Sequence, residues 1–173
     1  FAYTAKLRNG LFRNTGACLS PQNAFYNSIG METLGLRMER VCDNAKTLAQ
    51  FFATEYSDIE VNYPGLAGSK WHDIATEQFG DKFGGIITIR TGNKKRAFGI
   101  IDALKLPLIV SNIGDTKTLV IHPESTLNVH STQEEKETAG VFDDLIRISV
   151  GIEDIEDLID DFKQAIESVK DVY

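Results

Sequence analysis

Apolar residues recur at helical spacing from Phe25 onward: Phe25, Ile29, Leu34, Met38, Val41, Ala45, Leu48 and Phe52 step by three, four or five. This pattern predicts an amphipathic helix over 21–54 with one slip. Ser20-Pro21 supplies its start, with Ser as N-cap and Pro in the first turn. The slip falls between Gly30 and Gly35. Each interior glycine weakens a helix by about 1 kcal/mol relative to alanine, so a kink is expected there. Unbroken, the helix would run roughly 50 Å at ~1.5 Å per residue, long for one small domain. Before it, residues 1–16 read as a short helix ending near Asn9-Gly10, with Gly10 or Gly16 as stop signals.

Beyond residue 56 the periods alternate. Ile59–Tyr63, Gly84–Arg90, Leu106–Ser111, Leu119–His122 and Asp144–Val150 read as strands, and Ser69–Phe79 and Lys94–Leu104 as helices. Thr132-Gln-Glu-Glu135 is a capping-box pattern, with Gly140 as its stop. A last helix carries Ile152, Ile155, Ile159, Phe162, Ile166 and Val169 as its apolar stripe. Strands and helices in this mixed order imply an α+β fold, a mostly antiparallel sheet with helices on one face.

One strand contains an exception. In 145–150, Ile146, Ile148 and Val150 share one face, while Leu145, Arg147 and Ser149 share the other. Arg147 cannot lose its proton, and burying it unpaired is costly. It must reach water, a protein carboxylate or a bound anion. An arginine on the wet face of a half-buried strand satisfies this pattern, and so does a carboxylate clamp built on the planar guanidinium fork.

Composition narrows the function classes. The chain has 173 residues, 42% of them hydrophobic and 25% charged, as in an ordinary globular protein. Its net charge is −7 without a basic stripe, which argues against a nucleic-acid partner. No apolar run approaches the ~20 residues of a membrane span, and no charged-then-apolar leader is visible. A cytoplasmic location is expected. Glu153, Asp154, Glu156, Asp157, Asp160 and Asp161 place six acids in nine positions, read as a solvated helix face. Cys18 and Cys42 have no motif around them and are expected to be free thiols. The chain opens on Phe1 rather than Met and reads as the middle of something longer.

No catalytic constellation is complete. The chain has no Gly-x-Ser-x-Gly, no phosphate loop, and no metal-ligand spacing among His72, His122 and His130. His122 reads as a satisfied structural histidine, and Lys105 and Lys117 as solvated surface lysines. The polar loop Ser111–Thr118 leaves an apolar strand with backbone donors, small hydroxyls and Gly114. Such a loop can line a small polar ligand, or simply connect two elements.

Six motifs in order carry a resemblance. They are Ser-Pro-Gln-Asn-Ala-Phe (20–25), Gly-Met-Glu-Thr-Leu-Gly-Leu-Arg-Met-Glu-Arg (30–40), Val-Asn-Tyr-Pro-Gly-Leu (61–66), Phe-Gly-Gly (83–85), Asn-Ile-Gly-Asp-Thr-Lys-Thr-Leu-Val-Ile-His-Pro (112–123) and Arg-Ile-Ser-Val-Gly-Ile-Glu-Asp (147–154). Together they resemble the C-terminal part of the Cys/Met-metabolism enzymes that use pyridoxal 5′-phosphate (PLP). The 112–123 stretch is most similar to the branch of O-acetylhomoserine sulfhydrylases.

The resemblance implies the small C-terminal domain of the fold-type I architecture. Residues 1–19 would end the large cofactor domain, 20–56 would form the interdomain helix, kinked near 30–35, and 57–173 would be the C-terminal α+β domain. It implies that Arg147 binds the substrate α-carboxylate, with Asn112 beside it. Ser111 and Thr126 become possible residues of the site loop, with no role fixed.

It also implies a homotetrameric parent acting on an amino acid, with its own N-terminal domain as partner. The cofactor lysine of that family sits in a Ser-x-Thr-Lys type motif, and this chain contains none. No catalytic residue is therefore expected here, and the chain alone is expected to be inactive. The sulfhydrylase branch reads Ser-Thr-Thr-His after the proline, where this chain reads Ser125-Thr126-Leu127-Asn128-Val129-His130. Leaving group and acceptor thus stay open, with cystathionine γ-synthase and methionine γ-lyase as rival branches. A free-standing α+β amino-acid-binding or interaction domain is the rival from another class.

Overall fold

The computed structural model describes residues 1–170. The chain divides into two compact units, Phe1–Gly35 and Leu36–Tyr173.

In the first unit, α1 (Ala2–Leu7), a π-helical turn (Arg8–Phe12) and α2 (Arg13–Thr15) follow one another without a break. The helix does not stop at Asn9-Gly10 as the sequence suggested, because Gly10 lies inside the π turn. The terminator is Gly16, whose φ of 62° is left-handed backbone that glycine adopts without steric cost. Next comes α3 (Pro21–Glu32). Ser20 caps it by accepting a hydrogen bond from the Asn23 amide at 3.2 Å, with Pro21 in its first turn. Thr33 then leaves helical geometry, with φ −106° and ψ 6°, before α4 (Leu34–Glu55) begins. The interruption lies between Gly30 and Gly35, where the stripe slips.

The second unit is built on a five-stranded sheet of β1 (Glu60–Asn62), β2 (Ile86–Arg90), β3 (Leu108–Ile109), β4 (Leu119–Ile121) and β5 (Leu145–Ser149). Their spatial order is β1-β2-β5-β4-β3. The β1/β2, β2/β5 and β4/β5 pairs are antiparallel, and β3/β4 is parallel. The strand expected over 106–111 shrinks to Leu108–Ile109 at the sheet edge, where both residues are exposed and little holds a longer ladder.

Alternation along the strands decides the core. Ile87, Ile89, Val120, Ile146 and Ile148 share one sheet face and are buried in one cluster. The cluster is completed by Leu48 and Phe52 of α4, Ala97 and Ile100 of α6 (Lys94–Ala103), and Leu158, Phe162 and Ile166 of α9 (Ile155–Ser168). Phe52 and Phe162 meet edge to face, ring centroids 5.2 Å apart. Each such side chain contributes about 1.5–3 kcal/mol through burial. The α9 stripe is centred on Leu158, Phe162, Ala165 and Ile166. Ile155 and Ile159 lie at its partly buried margin, and Ile152 precedes the helix and is exposed. Three shorter helices complete the unit: α5 (His72–Phe79), α7 (Pro123–Thr126) and α8 (Gln133–Thr138). The capping box on α8 is present, with Thr132 and Glu135 bonded reciprocally.

The acidic run does not form one solvated face. Asp154 is the α9 N-cap and accepts from the Glu156 amide at 3.0 Å. Asp161 is buried and accepts from the amides of Lys105 at 2.9 Å and Leu106 at 2.8 Å. Those donors lie just past the end of α6, so Asp161 ties α9 to the chain leaving α6. Glu153 lies before the helix, and its carboxylate bonds Thr118. The spacing of acids marked a helix, but only tertiary contacts separate a cap, a buried acceptor and a clamp.

Candidate functional site

Arg147 lies at the middle of β5, opposite Thr88 on β2 and Ile121 on β4. β5 is the central strand of the sheet, with hydrogen-bonded neighbours on both edges, and so offers a rigid platform. Its outer face is not simply wet, as the sequence pattern allowed. Leu119, Ile121, Leu145 and Ser149 on that face are buried, and Arg147 is half-buried among them. Part of the cover comes from the loop between β3 and β4. The Gly114 amide donates to the Ser149 hydroxyl at 3.2 Å, and Arg147 Nη2 donates to the Asn112 carbonyl at 3.3 Å. Gly114 has φ 79°, a left-handed conformation that lets the loop turn at this point.

The donor balance of Arg147 is unusual. A guanidinium carries five N–H donors. Arg147 Nε is buried without a hydrogen-bond partner, and among the described residues no carboxylate pairs with its charge. Burial pushes its pKa below the ordinary arginine value, yet arginine remains charged in proteins. Arg96 also has an unpartnered Nε, but its Nη1 lies 2.6 Å from the Asp58 carboxylate. Arg90 is likewise matched, by Asp144 at 3.0 Å. Among the described residues, Arg147 hydrogen-bonds a neutral carbonyl and no carboxylate. A planar cation on a rigid strand with spare donors suits a planar anion such as a carboxylate.

The structure therefore brings two of the four sequence candidates together, Arg147 and Asn112, through the Asn112 main chain. Ser111 precedes Asn112 in the same loop and is exposed. Thr126 belongs to α7, and its hydroxyl donates to the His122 carbonyl at 2.8 Å. That hydroxyl is committed to the helix start rather than to the arginine. His122 is the satisfied structural histidine expected. Its buried ring has Nε2 2.8 Å from the Asp143 carbonyl, so Nε2 carries the proton. Nδ1 then accepts from the Ser125 amide at 3.3 Å and caps α7. Sequence reading missed α7; the signal was a side chain able to cap just before Pro123, as in an ordinary N-cap followed by proline.

Sequence reading also missed the polar clamp behind the loop. Glu153 accepts from the Thr118 amide and, at 2.9 Å, from the Thr118 hydroxyl. The same hydroxyl accepts from the Gly151 amide at 2.9 Å. From α4, Asn44 donates to the carbonyls of Gly151 at 3.1 Å and Glu153 at 2.9 Å. Among the described residues no group of His, Cys, Asp and Glu could hold a metal ion. No helix of the described residues is long and apolar enough to cross a membrane.

This geometry can be set beside known proteins. The family model described as Cys/Met metabolism PLP-dependent enzyme matches residues 3–167. The chain belongs to that family. An L-methionine gamma-lyase of Fusobacterium nucleatum subsp. polymorphum is 41% identical over 161 residues, 92% of this chain and 40% of the relative. An O-acetyl-L-homoserine sulfhydrylase of Corynebacterium glutamicum is 40% identical over 164 residues, 94% of this chain and 37% of the relative.

Among solved structures, a Campylobacter jejuni protein that carries N′-pyridoxyl-lysine-5′-monophosphate matches with TM-score 0.88 and 38% identity. The match covers 96% of this chain and 40% of that one. The O-acetylhomoserine sulfhydrylase of Wolinella succinogenes matches with TM-score 0.78 and 37% identity, over 95% of this chain and 43% of that one. The chain thus spans about two-fifths of the length of these relatives. These likenesses establish the fold-type I architecture expected from the motifs.

The family uses PLP, and the residues around Arg147 fit only part of what such a site needs. Binding PLP through a lysine requires an amine, donors for the phosphate and a partner for the ring nitrogen. The Arg147 site offers a guanidinium, a carbonyl and hydroxyls on β2 and β5. The guanidinium and hydroxyl donors of this group suit a carboxylate rather than the cofactor itself.

Proposed function

We propose that this chain forms the substrate-carboxylate side of a PLP-dependent sulfhydrylase. The reaction is replacement of the acetoxy group on the γ-carbon of O-acetyl-L-homoserine by sulfide or a thiol, in methionine and cysteine biosynthesis. The observation that carries the reading is the uncompensated charge of Arg147 on the central strand. In its support stand the sulfhydrylase relatives and the pyridoxyl-lysine of the Campylobacter jejuni structure.

On this reading Arg147 fixes the α-carboxylate by charge-assisted hydrogen bonds, and the Asn112 carbonyl holds the guanidinium at one edge. The Ser111-Asn112 loop borders the bound amino acid, and Thr126 shapes the approach to it through α7. Orienting the substrate in this way lowers the entropic part of the barrier. The cofactor lysine belongs to the remainder of a longer, cytoplasmic, homotetrameric enzyme. The 173-residue chain alone therefore does not turn substrate over.

Arg147→Lys in the full-length enzyme keeps the charge and loses the fork. It should raise KM for O-acetylhomoserine about 10- to 100-fold, the equivalent of one charged hydrogen bond. An unchanged KM would remove the clamp from the reading. Mixing the isolated chain with PLP should give neither a visible cofactor band nor turnover. A methionine γ-lyase is the second reading, favoured by the 41% identity to the Fusobacterium nucleatum enzyme. Parallel assays of the full-length protein with O-acetylhomoserine plus sulfide, with cysteine as acceptor, and with methionine alone separate these branches from each other and from cystathionine synthesis.

A further inference from the structure

We infer that Glu153 is a positioning residue for the carboxylate site, acting through Thr118 and the 111–118 loop on the Asn112 carbonyl and Arg147. The inference rests on Arg147 being the carboxylate clamp.

The loop from Val110 to Thr118 is anchored at its far end by side chains distant in sequence. Both Glu153 oxygens are engaged there, one by the Thr118 amide and one by the Thr118 hydroxyl at 2.9 Å. Thr118 is fully buried, and its hydroxyl also accepts from Gly151. The Ile152 amide donates to the Thr116 carbonyl at 2.9 Å, so main chain joins main chain beside the carboxylate. The fit is tight enough to demand glycine. A Cβ on Gly151 would lie 2.5 Å from a Glu153 oxygen and 2.5 Å from the Thr116 carbonyl.

Glu153 is held in turn. Its carbonyl accepts from Asn44, a buried residue, at 2.9 Å and from Arg40 at 3.3 Å. The near half of the loop has its own tie, Gly114 on Ser149, and next to it stands the Arg147 bond to Asn112. A carboxylate placed for helix stability alone would sit at the N-cap, which is Asp154. Glu153 instead faces back toward the start of β4 and fixes where the loop enters the sheet. Loss of this anchor should let the Asn112 carbonyl drift from Arg147 and spoil the aim of the guanidinium.

The test uses the holoenzyme carrying this chain. Glu153→Gln keeps the shape and removes the charge that two donors share. It should raise KM for the amino-acid substrate about tenfold, because small misplacement of a binding group is costly, with kcat changed less than twofold. Thr118→Val should do the same, and Thr118→Ser, which restores the hydroxyl, should return KM to the parent value. Arg147→Lys is run beside them. If Arg147→Lys raises KM while Glu153→Gln and Thr118→Val leave it unchanged, the positioning role falls and the clamp stands. If Arg147→Lys also leaves KM unchanged, both fall. Equal losses in kcat and melting temperature without a KM effect, or no rescue by Thr118→Ser, would mark a purely structural glutamate. Should Glu153→Gln fail to fold, the Thr118 pair decides alone.

Discussion

Helices α3 and α4 continue a single hydrophobic stripe in sequence, yet they bury very different amounts of it. Leu48 and Phe52 of α4 have no exposed surface, whereas Phe25 and Ile29 of α3 are 62% and 48% exposed. No residue of α3 is buried, against seven in α4. Periodicity therefore states which residues share a helix face, and a partner decides whether that face becomes core. For α4 the partners are the Ile87–Ile148 face of the sheet and the Phe162 side of α9.

Core truncation in the second unit should give the largest effect. Phe52→Ala removes a ring packed edge to face on Phe162 and leaves a cavity in the buried core cluster. A loss of about 3–5 kcal/mol is expected in urea unfolding followed by circular dichroism. A loss below about 1 kcal/mol would mean that α4 is not a core helix, and the contrast with α3 would disappear.

The same contrast explains what could be read before the structure was known. Elements set by local rules were legible: the Ser20 cap, the slip near Thr33, the capping box at Thr132 and the two-faced pattern of β5. The sheet order was not, because pairing β2 and β4 on either side of β5 joins strands far apart in the chain. At the site, Arg147 was legible as the charge that breaks an apolar strand, and the 112–123 motif pointed to Asn112. The main-chain nature of the Asn112 contact was not, since any residue has a carbonyl. Glu153 was hidden among neighbouring acids that look alike in sequence and differ only in what folds against them. Thr126 was named only as a possible residue of the site loop; its hydroxyl, four residues past His122, bonds that residue's carbonyl, the nearest helical acceptor.

Charge extends the comparison. Residues 1–35 contain one carboxylate side chain, Glu32, beside Lys6, Arg8 and Arg13. The second unit holds the other acids, and one of them carries a strong ionic tie. Glu124 on α7 lies 2.6 Å from Lys136 of α8 and 2.7 Å from Lys94 at the start of α6. The hydrogen bond from Lys136, then that from Lys94, pushes its pKa from 4.5 down to about 2. A folded-state pKa below the unfolded value adds stability above pH 4.5, and that stability is lost as pH falls from 4.5 to 2. Glu124→Gln should thus cost roughly 1–2 kcal/mol at pH 7, less than the full shift implies because Lys94 is half exposed. The difference from the parent should vanish near pH 2. An equal difference at both pH values would assign the loss to packing instead of charge.

The smallest effect on stability should come from the exposed stripe of α3, and it is the sharpest test of the contrast. Phe25, Tyr26, Ile29 and Met31 are all exposed on this one helix, a dense group of large apolar side chains for a protein surface. Replacing Phe25 and Ile29 with Ser removes apolar area of which about half is already in water. The unfolding free energy should move by no more than about 0.5 kcal/mol. Self-association should respond instead. The 173-residue chain is expected to sediment as concentration-dependent oligomers, and the double variant to shift toward monomer. If Phe25→Ser with Ile29→Ser destabilised the chain as much as Phe52→Ala, the α3 stripe would be core after all. If the parent sedimented as a clean monomer at high concentration, the exposed stripe would have no consequence for assembly.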